Sequence, residues 1–91
     1  MKYVFKASKQ FWKAFHNLPA PQQKKAKDAF KVFRNDPFDV RLRTHKINSL
    51  SARYKRTVFS VSVEGDLRSV FFLDGNIVYS VDIGTHAIYG K

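Results

Sequence analysis

The sequence predicts an α+β fold in two layers, with an N-terminal strand and two helices packed on an antiparallel sheet of about four to five strands. Three observations predict it. The first third of the chain carries apolar residues at helical spacing, with Phe11, Phe15 and Leu18 in one run and Ala26, Ala29, Phe30 and Phe33 in the next. From Thr57 onward the pattern alternates, in segments divided by Glu64-Gly65-Asp66 and Asp74-Gly75-Asn76. Connections this short make successive strands antiparallel neighbours, so one sheet face is left to bury against the helix pair.

Each element has a local reason. Lys2 to Ala7 holds Tyr3, Val4 and Phe5 in alternation and predicts a strand. Ser8 suits the N-cap of the first helix, which Asn17 to Pro21 breaks. Pro21 fits the first turn of the second helix, where a missing N–H costs nothing. Its outer face holds Lys24, Lys25, Lys27 and Lys31, and Asn35-Asp36-Pro37 ends it. Arg43 to Ile47 is a short extended piece. Asn48 to Arg56 is polar and basic without a strong period, and predicts a loop. Thr57 to Val63 puts Phe59, Val61 and Val63 on one face and Val58, Ser60 and Ser62 on the other. Leu67 to Leu73 and Ile77 to Ile83 are the last two strands. With 91 residues, 44% of them hydrophobic and nine of them Phe, the chain is expected to form a single domain over residues 1–91.

Charge narrows the function classes. Seventeen Lys and Arg against seven Asp and Glu give a formal charge of +10, far beyond the modest charge common in small domains. Such a surface attracts polyanions: nucleic acid, an acidic protein or anionic lipid. There is no cysteine, so disulfides and thiolate metal sites are excluded. The N-terminal M-K-Y-V-F-K has no long apolar run, and no segment approaches the length of a membrane span. The expected compartment is the cytoplasm, with no membrane partner.

The chemistry-bearing residues are few. His16, His45 and His86 stand alone in their segments, without the close pairing of zinc motifs, so no metal is expected. No glycine-rich phosphate loop or nucleophile elbow appears, and no cofactor is expected. RNA cleavage needs less machinery. The 2′-OH attacks the adjacent phosphate, and the protein supplies a base, an acid and cations for the charge on phosphorus. Histidine suits the proton transfers and arginine the phosphate.

An antiparallel hairpin turning at Asp74 to Asn76 brings Arg68, at the start of one strand, beside Gly84-Thr85-His86 at the end of the next. His45, Lys46 and the basic run Arg53, Lys55 and Arg56 could border that edge, and Tyr54 within the run favours contact with nucleic acid. Plain structural roles stand beside these. Arg68 could pair with Asp66 or Asp82, His86 could be an idle surface residue, Tyr89 a packing aromatic, His45 structural, and the basic run a solvated loop.

Three segments carry a family resemblance. P-F-D-V-R-L-R-T-H-K-I (Pro37 to Ile47), F-S-V-S-V-E-G-D-L-R-S-V-F (Phe59 to Phe71) and D-I-G-T-H-A-I-Y (Asp82 to Tyr89) together resemble the RelE/ParE toxin superfamily, above all its RelE-like branch from bacterial type II toxin–antitoxin systems. The resemblance spans nearly the whole chain. It implies helices packed on an antiparallel sheet, and a ribosome-dependent mRNA endonuclease that leaves a 2′,3′-cyclic phosphate. It also implies an antitoxin partner, often encoded adjacently and commonly acidic, with the ribosome and mRNA as the other partners. Arg68 matches the strand arginine that contacts the scissile phosphate. His86 matches the position after G-T that is implicated in acid–base work or charge stabilisation. His45 and Lys46 match the T-H-K segment, and Tyr89 resembles the C-terminal tyrosine. Relatives commonly read G-T-H-D-x-V-Y, so here the tyrosine stands one residue closer to the histidine and an acidic residue is missing. The superfamily also leaves two other activities open, a ParE-like poison of DNA gyrase and a catalytically inactive binding module.

Overall fold

In the computed structural model, which describes residues 2–90, with the side chain of His86 outside the description, ten elements follow one another. Strand β1 (Val4–Ala7) leads into helices α1 (Lys9–His16) and α2 (Ala20–Asn35). A 3-10 turn (Val40–Leu42) and the two-residue strand β2 (His45–Lys46) precede a third helix, α3 (Asn48–Tyr54). Strands β3 (Val58–Glu64), β4 (Leu67–Asp74) and β5 (Ile77–Thr85) then form a meander, followed by a closing 3-10 turn (His86–Gly90). Among the described residues no helix is long and apolar enough to cross a membrane.

The sheet order is β1-β5-β4-β3-β2, with both short strands at its edges. The expected antiparallel sheet is mixed: β1 pairs parallel to β5, and every other pairing is antiparallel. The reason is the helix pair. The chain leaves β1, crosses one face through α1 and α2, and reaches β5 last, and a crossover of that length permits parallel pairing.

Alternation assigns the two faces. Phe59, Val61 and Val63 of β3, Leu67 and Phe71 of β4, and Val78 and Ile83 of β5 pack on Phe11 and Phe15 of α1 and Ala26 and Phe33 of α2. Phe71 is fully buried at the centre of this layer. Ser8 joins α1 to the sheet: its hydroxyl accepts the Phe11 N–H at 3.0 Å and donates to the Val81 carbonyl at 2.9 Å. Pro21 sits in the first turn of α2 as expected.

The second face of the sheet carries a feature the sequence reading did not expect. It is partly covered by α3 and the closing turn, whose Leu50 and Ile88 bury Val58, Val70 and Val81 in a smaller core. The predicted loop at Asn48 to Arg56 is therefore mostly helix. Seven residues with one buried apolar side chain, Leu50, present no period to detect. A helix this short is held by tertiary contacts rather than propensity. The Ser51 hydroxyl donates to the Ile47 carbonyl at 2.8 Å and accepts the Val58 N–H at 2.9 Å, which ties the helix to β3. Lys55 ends it in the left-handed region at φ 56°.

Candidate active site

The partly covered face carries three of the sequence-predicted catalytic residues, His45, Arg68 and Tyr89. Strand register places them. His45 of β2 stands opposite Ser60 of β3, and Ser60 opposite Val70 of β4. Two residues along, Ser62 stands opposite Arg68, and Arg68 opposite Gly84 of β5. Because Val61, Val63 and Leu67 point to the helices, His45, Ser60, Ser62 and Arg68 share the other face. From His45 to Arg68 is two strand spacings across and two residues along, roughly 12 Å between Cα atoms.

His45 is oriented by the loop before it. The Thr44 hydroxyl donates to the Pro37 carbonyl at 2.6 Å. Asp39 accepts from the Arg41 backbone N–H and from its guanidinium, each at 2.9 Å. That guanidinium, and then the Arg41 N–H, hold the Asp39 carboxyl down at about 2, below its ordinary 3.8. Arg43 turns the chain through the left-handed region at φ 50°. The Arg43 carbonyl then lies 3.0 Å from His45 Nδ1. A carbonyl only accepts, so Nδ1 carries the proton and a neutral ring keeps the lone pair on Nε2. The ring is exposed.

Arg68 lies half-buried just after the Glu64-Gly65-Asp66 turn. Its Nη1 donates to the Gly65 carbonyl at 2.7 Å and to the Leu67 carbonyl at 3.4 Å. A guanidinium has five N–H donors in a planar fork, so two backbone contacts anchor it and leave donors for a phosphate.

Tyr89 reaches the same place from the chain's far end. Its phenol oxygen is hydrogen-bonded to the Ser60 hydroxyl, which is fully buried. Its carbonyl accepts from the Ser49 hydroxyl of α3 at 3.3 Å. The shortened G-T-H-A-I-Y tail therefore still delivers a tyrosine to β3, beside the His45 position. Gly84 makes this possible. A Cβ there would lie 2.9 Å from the Ile88 methyl, so the closing turn lies flat only on a glycine. The side chain of His86 lies outside the described residues; its backbone follows Thr85, the last residue of β5 to pair with β4. Sequence reasoning missed Ser60 and Ser49. The alternation of Val58, Ser60 and Ser62 marked the face, but nothing in it indicated which hydroxyl meets the tyrosine.

The basic residues do not form one group. Lys46 faces the helix side of β2, opposite Phe59, and is exposed at the sheet edge. Arg53 projects from α3 and lines a cleft with Gln10 and Asp82. Lys55 is an exposed helix cap. Arg56 lies far from Arg68, with its guanidinium 4.5 Å above the Phe72 ring and 3.9 Å from the Asp74 carboxylate. No cluster of three or more His, Asp or Glu side chains able to hold a metal occurs among the described residues.

No protein-family model matches the sequence, and no curated protein matches it. Solved structures do. A chain of the archaeal RelE–RelB complex from Pyrococcus horikoshii OT3 superposes with a TM-score of 0.70 at 15% identity, covering 93% of this chain and 96% of that one. YafQ from Escherichia coli BL21(DE3) superposes with a TM-score of 0.71 at 19% identity, over 96% of this chain and 97% of that one. A chain of the E. coli DinJ–YafQ toxin–antitoxin complex gives 0.71 at 17% identity, over 97% of each. The three-segment resemblance in the sequence thus meets an independent likeness in three dimensions, and the chain has the fold of the RelE and YafQ toxins.

Proposed function

We propose that this protein is the toxin of a type II toxin–antitoxin pair and cuts mRNA on the ribosome. The observation that carries the proposal is one sheet face on this fold that holds an exposed His45 with its Nδ1 on a backbone carbonyl, a backbone-anchored Arg68 and a Ser60-bound Tyr89. His45 Nε2 takes the proton from the 2′-OH, and that oxygen attacks the adjacent phosphorus. Arg68 binds the non-bridging oxygens and stabilises the charge that builds there. The bond from phosphorus to the 5′ oxygen breaks, and His86 returns a proton to the leaving oxygen. The products are a 2′,3′-cyclic phosphate and a 5′-hydroxyl. Tyr89, fixed by Ser60, orients the nucleotide. The ribosome presents the RNA in a reactive geometry, which lets so sparse a site suffice. Lys46, Arg53 and Lys55 steer the polyanion. The partner outside the ribosome is an acidic antitoxin, and the setting is the cytoplasm.

Primer extension on an mRNA translated in vitro tests this. Wild-type protein should produce cuts only with ribosomes present, and Arg68→Ala, His86→Ala and His45→Ala should each reduce them by about 10²-fold or more. An absence of cuts from folded protein, or cuts unchanged in Arg68→Ala, would refute the proposal. Inhibition of DNA gyrase by such a cut-free protein would place it with the ParE-like poisons instead.

A further inference from the structure

A second surface on the same sheet face has different chemistry. Phe72 and Tyr79 are cross-strand neighbours on β4 and β5. Their rings lie 5.3 Å apart and are nearly parallel, with 6° between planes. Tyr54, from the end of α3, joins them at 6.4 Å from Phe72 and is 40% exposed. Arg56 covers the Phe72 ring. On the other side, Lys6 of β1 stands opposite Tyr79. These residues, with Asp74, line an open groove of about 440 Å³.

A cross-strand aromatic pair ordinarily stabilises a sheet by packing. That accounts for the side of this row turned toward Val58, Val70 and Val81. It does not account for the rest. The α3 helix and the closing turn cover the apolar centre of this face; α3 reaches the aromatic row through its last residue, Tyr54, and leaves the row half-open between two cations. Flat π surfaces flanked by Lys and Arg are what an unpaired base and its phosphate need. An acidic protein segment would use the cations but has no need of a parallel ring stack. A lipid surface would favour a protruding apolar patch over a groove.

We propose that this groove is a binding subsite for one unpaired nucleobase of an RNA strand, stacked on Tyr79 and Tyr54, with its phosphate at Lys6. Arg56 is held over Phe72 and faces Asp74, so it braces the stack, and Lys6 is the cation left for phosphate. Phe72 is four residues along β4 from Arg68, roughly 14 Å. The subsite therefore takes a nucleotide that flanks the cut rather than the one that is cut. The identity of the ligand as RNA rests on the cleavage proposal above, but the stacking itself is separately measurable.

The test uses the full chain with Arg68→Ala, to keep the RNA intact, and fluorescence anisotropy on two labelled oligomers of equal charge: a hexanucleotide RNA and its abasic counterpart. Tyr79→Leu and Tyr54→Ala should each weaken RNA binding by about tenfold and leave abasic binding unchanged. Lys6→Ala should weaken both oligomers and lower the salt slope by about one. Tyr54 is exposed, so Tyr54→Ala remains informative if Tyr79→Leu fails to fold. Equal loss for both oligomers, or no loss for either, in the tyrosine variants would overturn the proposal. If the wild-type protein makes no cuts in the primer-extension assay while base-dependent binding persists here, the cleavage proposal falls and the subsite stands.

Discussion

Gly84→Ala isolates the contact that seats the closing turn. The new methyl would sit 2.9 Å from the Ile88 Cγ2, closer than carbon atoms pack. Ile88 is only 6% exposed and wedged against Leu50 and Val70, so it has little room to yield. Overpacking of this kind costs about 1–3 kcal/mol. Gly84 has no positive φ, so an alanine fits its backbone and returns about 0.4–1 kcal/mol through reduced unfolded-state entropy. The net expectation is a loss of about 1–2 kcal/mol, read as a fall in unfolding midpoint of about 4–8 °C per kcal/mol for a domain of this size. Urea denaturation of Gly84→Ala, Ile88→Ala and the double variant measures the contact directly. Ile88→Ala alone should cost about 2–5 kcal/mol. The double variant should cost less than the sum by at least about 0.5 kcal/mol, since the added methyl enters the space the isoleucine leaves. Additive losses, or a stabilised Gly84→Ala, would show that Ile88 does not rest on Gly84. The turn also carries Tyr89, so Gly84→Ala should lower RNA cleavage more than its stability loss explains.

Three further outcomes follow from the same geometry. Ser8→Ala removes both the cap on α1 and the bond to Val81, and should lower stability by about 1–2 kcal/mol in thermal unfolding; Ser8→Asp keeps the acceptor, loses the donor, and should fall between. Lys55→Gly relieves a left-handed lysine at φ 56° and should stabilise by about 1 kcal/mol in urea, while the salt slope of RNA binding falls by about one; an unchanged slope would remove Lys55 from the RNA surface. The Asp39 carboxyl, lowered to about 2 from 3.8 by Arg41, favours the folded state fully above about pH 4 and loses that contribution as pH falls toward 2. Wild-type midpoints should therefore drop more steeply over that window than those of Asp39→Asn, and parallel pH profiles would refute the linkage.

The elements with repeated apolar residues were legible in the sequence alone. The stripes Phe11–Phe15 and Ala26–Phe33 built α1 and α2, and the alternation from Thr57 to Ile83 built β3 to β5, because burial on one face imposes a period that sequence displays. The site was legible in part for the same reason. A short hairpin with strands of known span puts Arg68 near Gly84, although the bulge between Val70 and Phe71 shifts the register by a residue. The helix α3 was not legible, since one buried leucine in two turns leaves no period.

By itself, then, the sequence determined the α+β class, the helix pair, the meander and the basic charge, all of which depend on composition or on contacts between near neighbours. Tertiary structure alone decided three things: the parallel seat of β1 beside β5, the cover on the second face, and the sorting of the cations. Each is a pairing of distant segments with no local period of its own. Arg56 and Arg68 are both arginines near strand ends, and only the register of β3, β4 and β5 sends one to Phe72 and leaves the other on the carbonyls of the turn between β3 and β4.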